Sequence, residues 1–173
     1  EHPLIEFDRD GRFVRAMGEG LYVRPHGMRV DAADNIWTTD VNAHTVTKMS
    51  PEGQVLMTLG VRGQSGEWDE TAGTRLLNQP NDVAVAASGD LFVMQGHGRG
   101  QSRILKFDRT GRFLKSWGGN GTGPGQFDTG HSVAIDARGL VYAADRQNRR
   151  VQIFDQDGTY LREWKFRGLP CGL

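Results

Sequence analysis

The sequence predicts an all-β fold of the β-propeller type, built from four-stranded blades, and three observations carry that prediction. Glycine makes up 24 of the 173 residues, well above the ordinary share of about 7%, without a three-residue period. Short apolar/polar alternations lie between the glycines, as strands joined by tight turns require. One strand–turn–strand pattern then occurs four times, in "LIEFDRDGRFVRAMG", "TVTKMSPEGQVLMTLG", "RILKFDRTGRFLKSWG" and "RVQIFDQDGTYLREW".

In each copy an alternating run reaches a polar turn, a glycine takes positive φ, and the alternation resumes. The turn glycines are Gly11, Gly53, Gly111 and Gly158, spaced by 42, 58 and 47 residues. A second hairpin precedes each later copy: "PHGMRVDAADNIWTTD", "PNDVAVAASGDLFVMQ" and "GHSVAIDARGLVYAAD". Paired, the hairpins make a four-stranded unit of roughly 40–45 residues, the length of a propeller blade. The single repeat region 1–173 therefore divides into a half blade at 1–20 and blades at 21–60, 78–118 and 128–166. The Gly/Ser/Thr/Gln-rich stretches 61–79 and 118–130 read as connecting loops. Closed propellers have about four to eight blades, so three and a half leave sheet edges uncovered. Either the chain is part of a longer propeller, or a second copy in a homo-oligomer completes it. Glu1 opening in mid-blade and "RGLPCGL" reading as the run-in to another blade favour the first.

Charge narrows the partners. Lys+Arg and Asp+Glu both number 21, so no basic excess exists to bind nucleic acid. No run approaches the roughly 18 apolar residues of a membrane span, and neither nucleic acid nor membrane is an expected partner. Cys171 is the single cysteine, which excludes an intrachain disulfide. A small molecule or peptide at the channel mouth is the expected ligand. No nucleophile elbow or phosphate loop is present.

Aligning the blades sets Pro25-His26-Gly27 beside Pro80-Asn81-Asp82 and Gly130-His131-Ser132. His26 and His131 share one position, the entrance of the strand that lines a propeller's channel. Two imidazoles converging there suit a Zn²⁺ ion, although turn capping would also account for them. His97, in the glycine-rich "QGHGRGQSR", follows a second strand and is free to reach the channel mouth or to remain a loop residue. Arg146, at the matching place in "AADRQNRR", suits a bidentate carboxylate clamp. Asp40 and Asp145 recur at second-strand ends and read as pins between blades. His44 reads as structural and His2 as solvated. Trp37, Trp117 and Trp164 read as core between blades, whereas Trp68 in the 61–79 loop is placed to touch a ligand.

These segments resemble NHL-repeat propellers, and among them the peptidyl-α-hydroxyglycine α-amidating lyases. "RPHGMRVDAADNIWTTDVNAHTVTKMSPEG", "GPGQFDTGHSVAID" and "VYAADRQNRRVQIF" carry most of the likeness. The resemblance implies a catalytic Zn²⁺ held by histidines, a structural Ca²⁺, and cleavage of a carbinolamide to a peptide amide and glyoxylate. It implies that His26 and His131 are zinc ligands, Arg146 an active-site arginine and the Met28 carbonyl a Ca²⁺ ligand. It favours a secreted or periplasmic location. Two departures stand out. The family's third zinc histidine belongs to a later blade. Its catalytic tyrosine has Gln95-Gly96-His97 as nearest counterpart, so His97 becomes the acid/base or a further zinc ligand. A non-catalytic propeller that binds a peptide or protein is the alternative, followed by a lactonase-type hydrolase, whose acidic metal-ligand set is not evident.

Overall fold

The computed structural model describes residues 4–97 and 101–173. The reading of His2 and part of the connection that follows His97 lie outside them. The hairpin β1 (Leu4–Phe7) and β2 (Phe13–Met17) forms the half blade. Next comes the sheet β3 (Pro25–Val30), β4 (Ile36–Asp40), β5 (Thr45–Met49) and β6 (Val55–Leu59). The 61–79 connection is more ordered than its composition suggests, because it folds a small hairpin, β7 (Trp68–Asp69) and β8 (Thr74–Arg75). A second sheet holds β9 (Pro80–Val85), β10 (Leu91–Gln95), β11 (Arg103–Phe107) and β12 (Phe113–Gly118). A third holds β13 (Gly130–Ile135), β14 (Val141–Asp145), β15 (Arg150–Phe154) and β16 (Tyr160–Lys165). Each full sheet is an antiparallel meander in chain order, and β9 packs beside both β3 and β13.

One turn device repeats through the hairpins. Asp8 Oδ1 accepts the N–H groups of Asp10 and Arg12, and Gly11 follows at φ 77°. Asp108 with Gly111, Asp136 with Gly139 and Asp155 with Gly158 do the same. In the first inner hairpin Asp34 takes the glycine's place at φ 61°, which short Asp side chains tolerate.

The middle blade is buried on both faces, which is why β10 reads as the unbroken apolar run Leu91-Phe92-Val93-Met94. Leu91 and Val93 join Trp37, Val46 and Leu59 of the first blade in one core. Phe92 and Met94 join Val133, Val141 and Phe154 of the last blade, plugged by Phe127, in the other. Trp37 is buried and Trp117 packs against the second core, as expected of residues between blades. Trp164 differs. It is 47% exposed, on the face of the last blade that no described sheet covers. Trp68 also differs from its expected ligand contact, because it packs on Phe107 and Phe113 at 4.7 and 6.3 Å.

The second-strand ends are the fixed points. Asp40 Oδ2 accepts the N–H groups of Val23 and Arg24 at 2.6 and 2.8 Å, and its Oδ1 those of Asn42 and Ala43. Gln95 Oε1 accepts the Asn78 N–H, and Asp145 Oδ1 the Asp128 N–H at 2.7 Å. Each side chain thus ties the segment entering its blade to that blade's second strand. Asp145 is fully buried, and burial pushes its carboxyl up while Asn148 and Arg150 pull it down. Arg150 Nε donates to Asp145 at 2.7 Å, and its Nη atoms reach Glu163 and the carbonyls of Gly123 and Gln126.

Two outcomes follow for stability. Asp145→Ala leaves the buried Arg150 cation with Glu163 as its one remaining carboxylate partner, and should cost about 3 kcal/mol in denaturant unfolding. The turn carboxylates set the acid limb. Asp136, accepting the Leu140 N–H, is held at about 2, and Asp108 and Asp155 are also lowered, by Thr110 and Thr159 first. A depressed carboxyl stabilises the fold above its unfolded value and loses that contribution as pH falls through the folded value. Melting temperature should therefore drop as pH falls below about 4, and Asp136→Asn should blunt the drop.

Candidate metal centre

A bulge aims the site. On β3, Pro25 pairs with Asp40 and Met28 with Thr38, so His26 and Gly27 together face Thr39 alone. On β9, Pro80 pairs with Gln95 and Asp82 with Met94, leaving Asn81 extra. On β13, Gly130 pairs with Asp145 and Ser132 with Ala144, leaving His131 extra. The same irregularity thus sits at the same place in all three blades. An extra residue in one strand bends it and re-aims its side chain, here toward the channel mouth. Gly27 is required by close approach, since a Cβ there would lie 2.7 Å from the Asn81 carbonyl oxygen.

His97, just after β10, completes the group. Ring centroids of His26 lie 4.6 Å from His97 and 4.9 Å from His131, and those of His97 and His131 are 5.5 Å apart. One ligand nitrogen from each ring lies within 4.8 Å of the others. Among the described residues this is the one group of three or more His, Cys, Asp or Glu donors gathered at such range.

The outer hydrogen bonds decide the tautomers. His26 Nδ1 lies 2.8 Å from the Asn81 carbonyl and His131 Nδ1 2.7 Å from the Cys171 carbonyl. A carbonyl only accepts, so each Nδ1 carries a proton, and in the neutral ring Nε2 is the nitrogen left with a lone pair. Metal-ligating histidines are commonly oriented in this way. His97 is lowered to about 4, by burial first and then by the charges of His26, His131, Arg24 and Arg146. His131 is lowered too, chiefly by burial. Three imidazoles gathered at this range suit a tetrahedral zinc ion with one open position.

Arg146 follows Asp145, and its backbone N–H donates to Thr129, two residues before His131. Its Nε is buried with no hydrogen-bond partner, a free donor beside the triad. Arg24, adjacent in sequence to Pro25-His26, is a further cation near the triad that composition and repeats do not single out, its backbone N–H fixed on Asp40. Asn81, at the position of His26 and His131, is fully buried, and its carbonyl supports His26. His44 is structural as expected, its Nδ1 accepting the Gln79 N–H.

Met28 lines the channel cavity with a 56% exposed side chain. Among the described residues, the lining of that cavity offers few free oxygens to a Ca²⁺ ion. A hard cation wants six to eight oxygens, whereas the cavity's carboxylate, Asp82, is bound by Arg29 at 2.6 Å and by Ser132 at 2.6 Å.

No family model matches the chain. It is 34% identical to human NHL repeat-containing protein 3, over 93% of its own length and 48% of that protein's. It is 36% identical to mouse peptidyl-glycine α-amidating monooxygenase (94% and 17%), and 35% identical to the Drosophila melanogaster peptidyl-α-hydroxyglycine α-amidating lyase 1 (89% and 29%). The chain therefore spans less than half the length of each of these relatives. A streptogramin B lyase structure superposes with a TM-score of 0.67 at 16% identity, covering 94% of this chain and 47% of that one, which supports the propeller fold alone.

The His97 shift gives a signed test. The unfolded chain takes up a proton near 6.5, while folded His97 stays neutral to about 4. His97 therefore subtracts stability as pH falls through that window and nothing above it. Nitrogen-detected NMR of the metal-free protein should find one histidine titrating near 4, and Arg146→Gln should move it upward.

Proposed function

Because the chain is a homologue of NHL repeat-containing protein 3 and the amidating lyases, within a lyase-like β-propeller family, we propose that it forms the active face of a zinc-dependent lyase. The substrate class is a peptidyl-α-hydroxyglycine, split to a peptide amide and glyoxylate. The observation that carries this reading is the convergence of His26, His97 and His131, with two of the rings locked by backbone carbonyls to offer Nε2.

In this reading His26, His97 and His131 hold the ion, and His97 serves as the third imidazole donor rather than as the acid/base. Its depressed basicity keeps its lone pair available at neutral pH but makes it a weak proton acceptor there. A zinc ion in this place supplies Lewis acidity toward a substrate oxygen. Arg146, with its unpaired buried Nε, binds the carboxylate that leaves within glyoxylate. Asn81 and Cys171 orient the rings through their carbonyls. In the overall reaction the hydroxyl loses its proton, the C–N bond breaks, and the departing nitrogen gains a proton.

Metal analysis of the purified protein should give close to one Zn²⁺ per chain, and His26→Ala, His97→Ala and His131→Ala should each lose it. With a peptidyl-α-hydroxyglycine as substrate, those variants should fall at least about 100-fold in kcat/KM, and Arg146→Gln should act mainly through KM. Stoichiometric metal without glyoxylate release would support a non-catalytic binding propeller instead. Unchanged metal content in all three histidine variants would sink the metal reading altogether.

A further inference from the structure

We propose that Asn120 is the attachment point of an N-linked oligosaccharide, a modification site independent of the histidine cluster. The sequence signal is Asn120-Gly121-Thr122, the Asn-x-Ser/Thr acceptor triplet with a middle residue other than proline. Of the asparagines at 35, 42, 78, 81, 120 and 148, Asn120 alone has Ser or Thr two residues on. Such a triplet also arises by chance. Two structural observations lift this one above chance.

The first is access. The triplet lies in the connection between β12 and β13, and Asn120 and Thr122 are both exposed. Other groups hold that connection in place. The Gly119 N–H donates to the Ser102 carbonyl at 2.9 Å, and the Gly121 N–H to the Phe127 carbonyl at 3.0 Å. Asn148 Nδ2 donates to the Gly121 carbonyl at 2.8 Å. Gly121 stands at φ 152°, where a Cβ would run into the Gln126 side chain, so glycine suits the middle place of the triplet.

The second is the direction of the Asn120 amide. Its Oδ1 accepts the Ser102 N–H at 3.0 Å. A backbone N–H only donates, so this bond fixes which amide atom is oxygen. Among the described residues Nδ2 makes no hydrogen bond, and Nδ2 is the atom that takes the sugar. An asparagine substituted there keeps its carbonyl oxygen, so the bond to Ser102 survives modification. Asn81 and Asn148 differ, since both commit Nδ2 to backbone carbonyls, those of Gly130 and Gly121.

The donor class is a polyprenyl-diphosphate-linked oligosaccharide, presented by a membrane-bound transferase in the lumen of the secretory pathway. The bond between sugar C1 and the diphosphate oxygen breaks, and the diphosphate leaves with its electron pair. The C1–Nδ2 bond forms as Nδ2 gives a proton to a base of the transferase, and nothing is oxidised or reduced. Gly118 pairs with Arg103, and Arg103 with Gln95. Asn120 therefore sits at the same end of the middle blade as His97, just past a strand two spacings, or about 10 Å, out from β10. The sugar stands outward of the histidines.

Secretion from eukaryotic cells, behind a cleavable signal, tests the assignment. The secreted protein should carry one glycan, and peptide-N-glycosidase should remove it in a single mobility step. Mass spectrometry should then find aspartate at position 120, the product of that cleavage. Asn120→Gln and Thr122→Ala should each abolish the glycan, and Thr122→Ser should keep it. Thr122→Ala leaves the Asn120–Ser102 bond in place, so its loss of glycan reports the triplet and not misfolding. Chain recovered from the lumen or the medium with Asn120 unmodified would overturn the proposal, as would an undiminished glycan on Thr122→Ala.

Discussion

The arrangement depends on one repeated contact, the tie between the end of a blade's second strand and the segment that enters the blade. Asp40, Gln95 and Asp145 make it with different side chains but the same partner type, the backbone N–H groups of residues 23–24, 78 and 128. Where the partner group is buried, leaving it unpaired costs about 1–3 kcal/mol, so the incoming chain has one favourable position. That position sets the start of the innermost strand and hence the residue at the bulge. The histidine geometry inherits its precision from these ties, since His26 and His131 lie two and three residues after the anchored segments and His97 two after Gln95.

Much of the architecture was legible in the residues. Turn glycines at Gly11, Gly53, Gly111 and Gly158 and the alternation around them yield the observed hairpins, because glycine at positive φ and period-two burial are local signals. Alignment of Pro25-His26 with Gly130-His131 located two donors for the same reason. What could not be read locally was the bulge, since one extra residue in six does not disturb the apolar pattern. Nor could the inward path of His97 be read, because the glycine-rich chain around it permits many directions. Trp68 was misread because loop composition hid the β7–β8 hairpin that lays it on Phe107. Trp164 shares the alternation of Trp117, and its burial depends on whether a neighbouring blade covers that face.

The channel mouth sets its imidazoles against protonation. Three imidazoles this close cannot all be protonated without strong repulsion, and the nearby charges of Arg24 and Arg146 add to it. Lower down, Arg29 and Asp82 neutralise each other at 2.6 Å. Positive charge is thus balanced in the floor and left unbalanced at the rim. A rim of that kind disfavours protonation of the imidazoles that it surrounds.

The bulge gives this fold a form of addressing. A residue inserted there borders the same cavity regardless of which blade encodes it, as His26, Asn81 and His131 illustrate. Exchanging a single codon at that position therefore swaps the chemistry of the mouth and leaves every ladder hydrogen bond in place. Gene duplication of blades copies the address along with the strands. New centres can then arise by editing one letter per repeat, with no redesign of the scaffold.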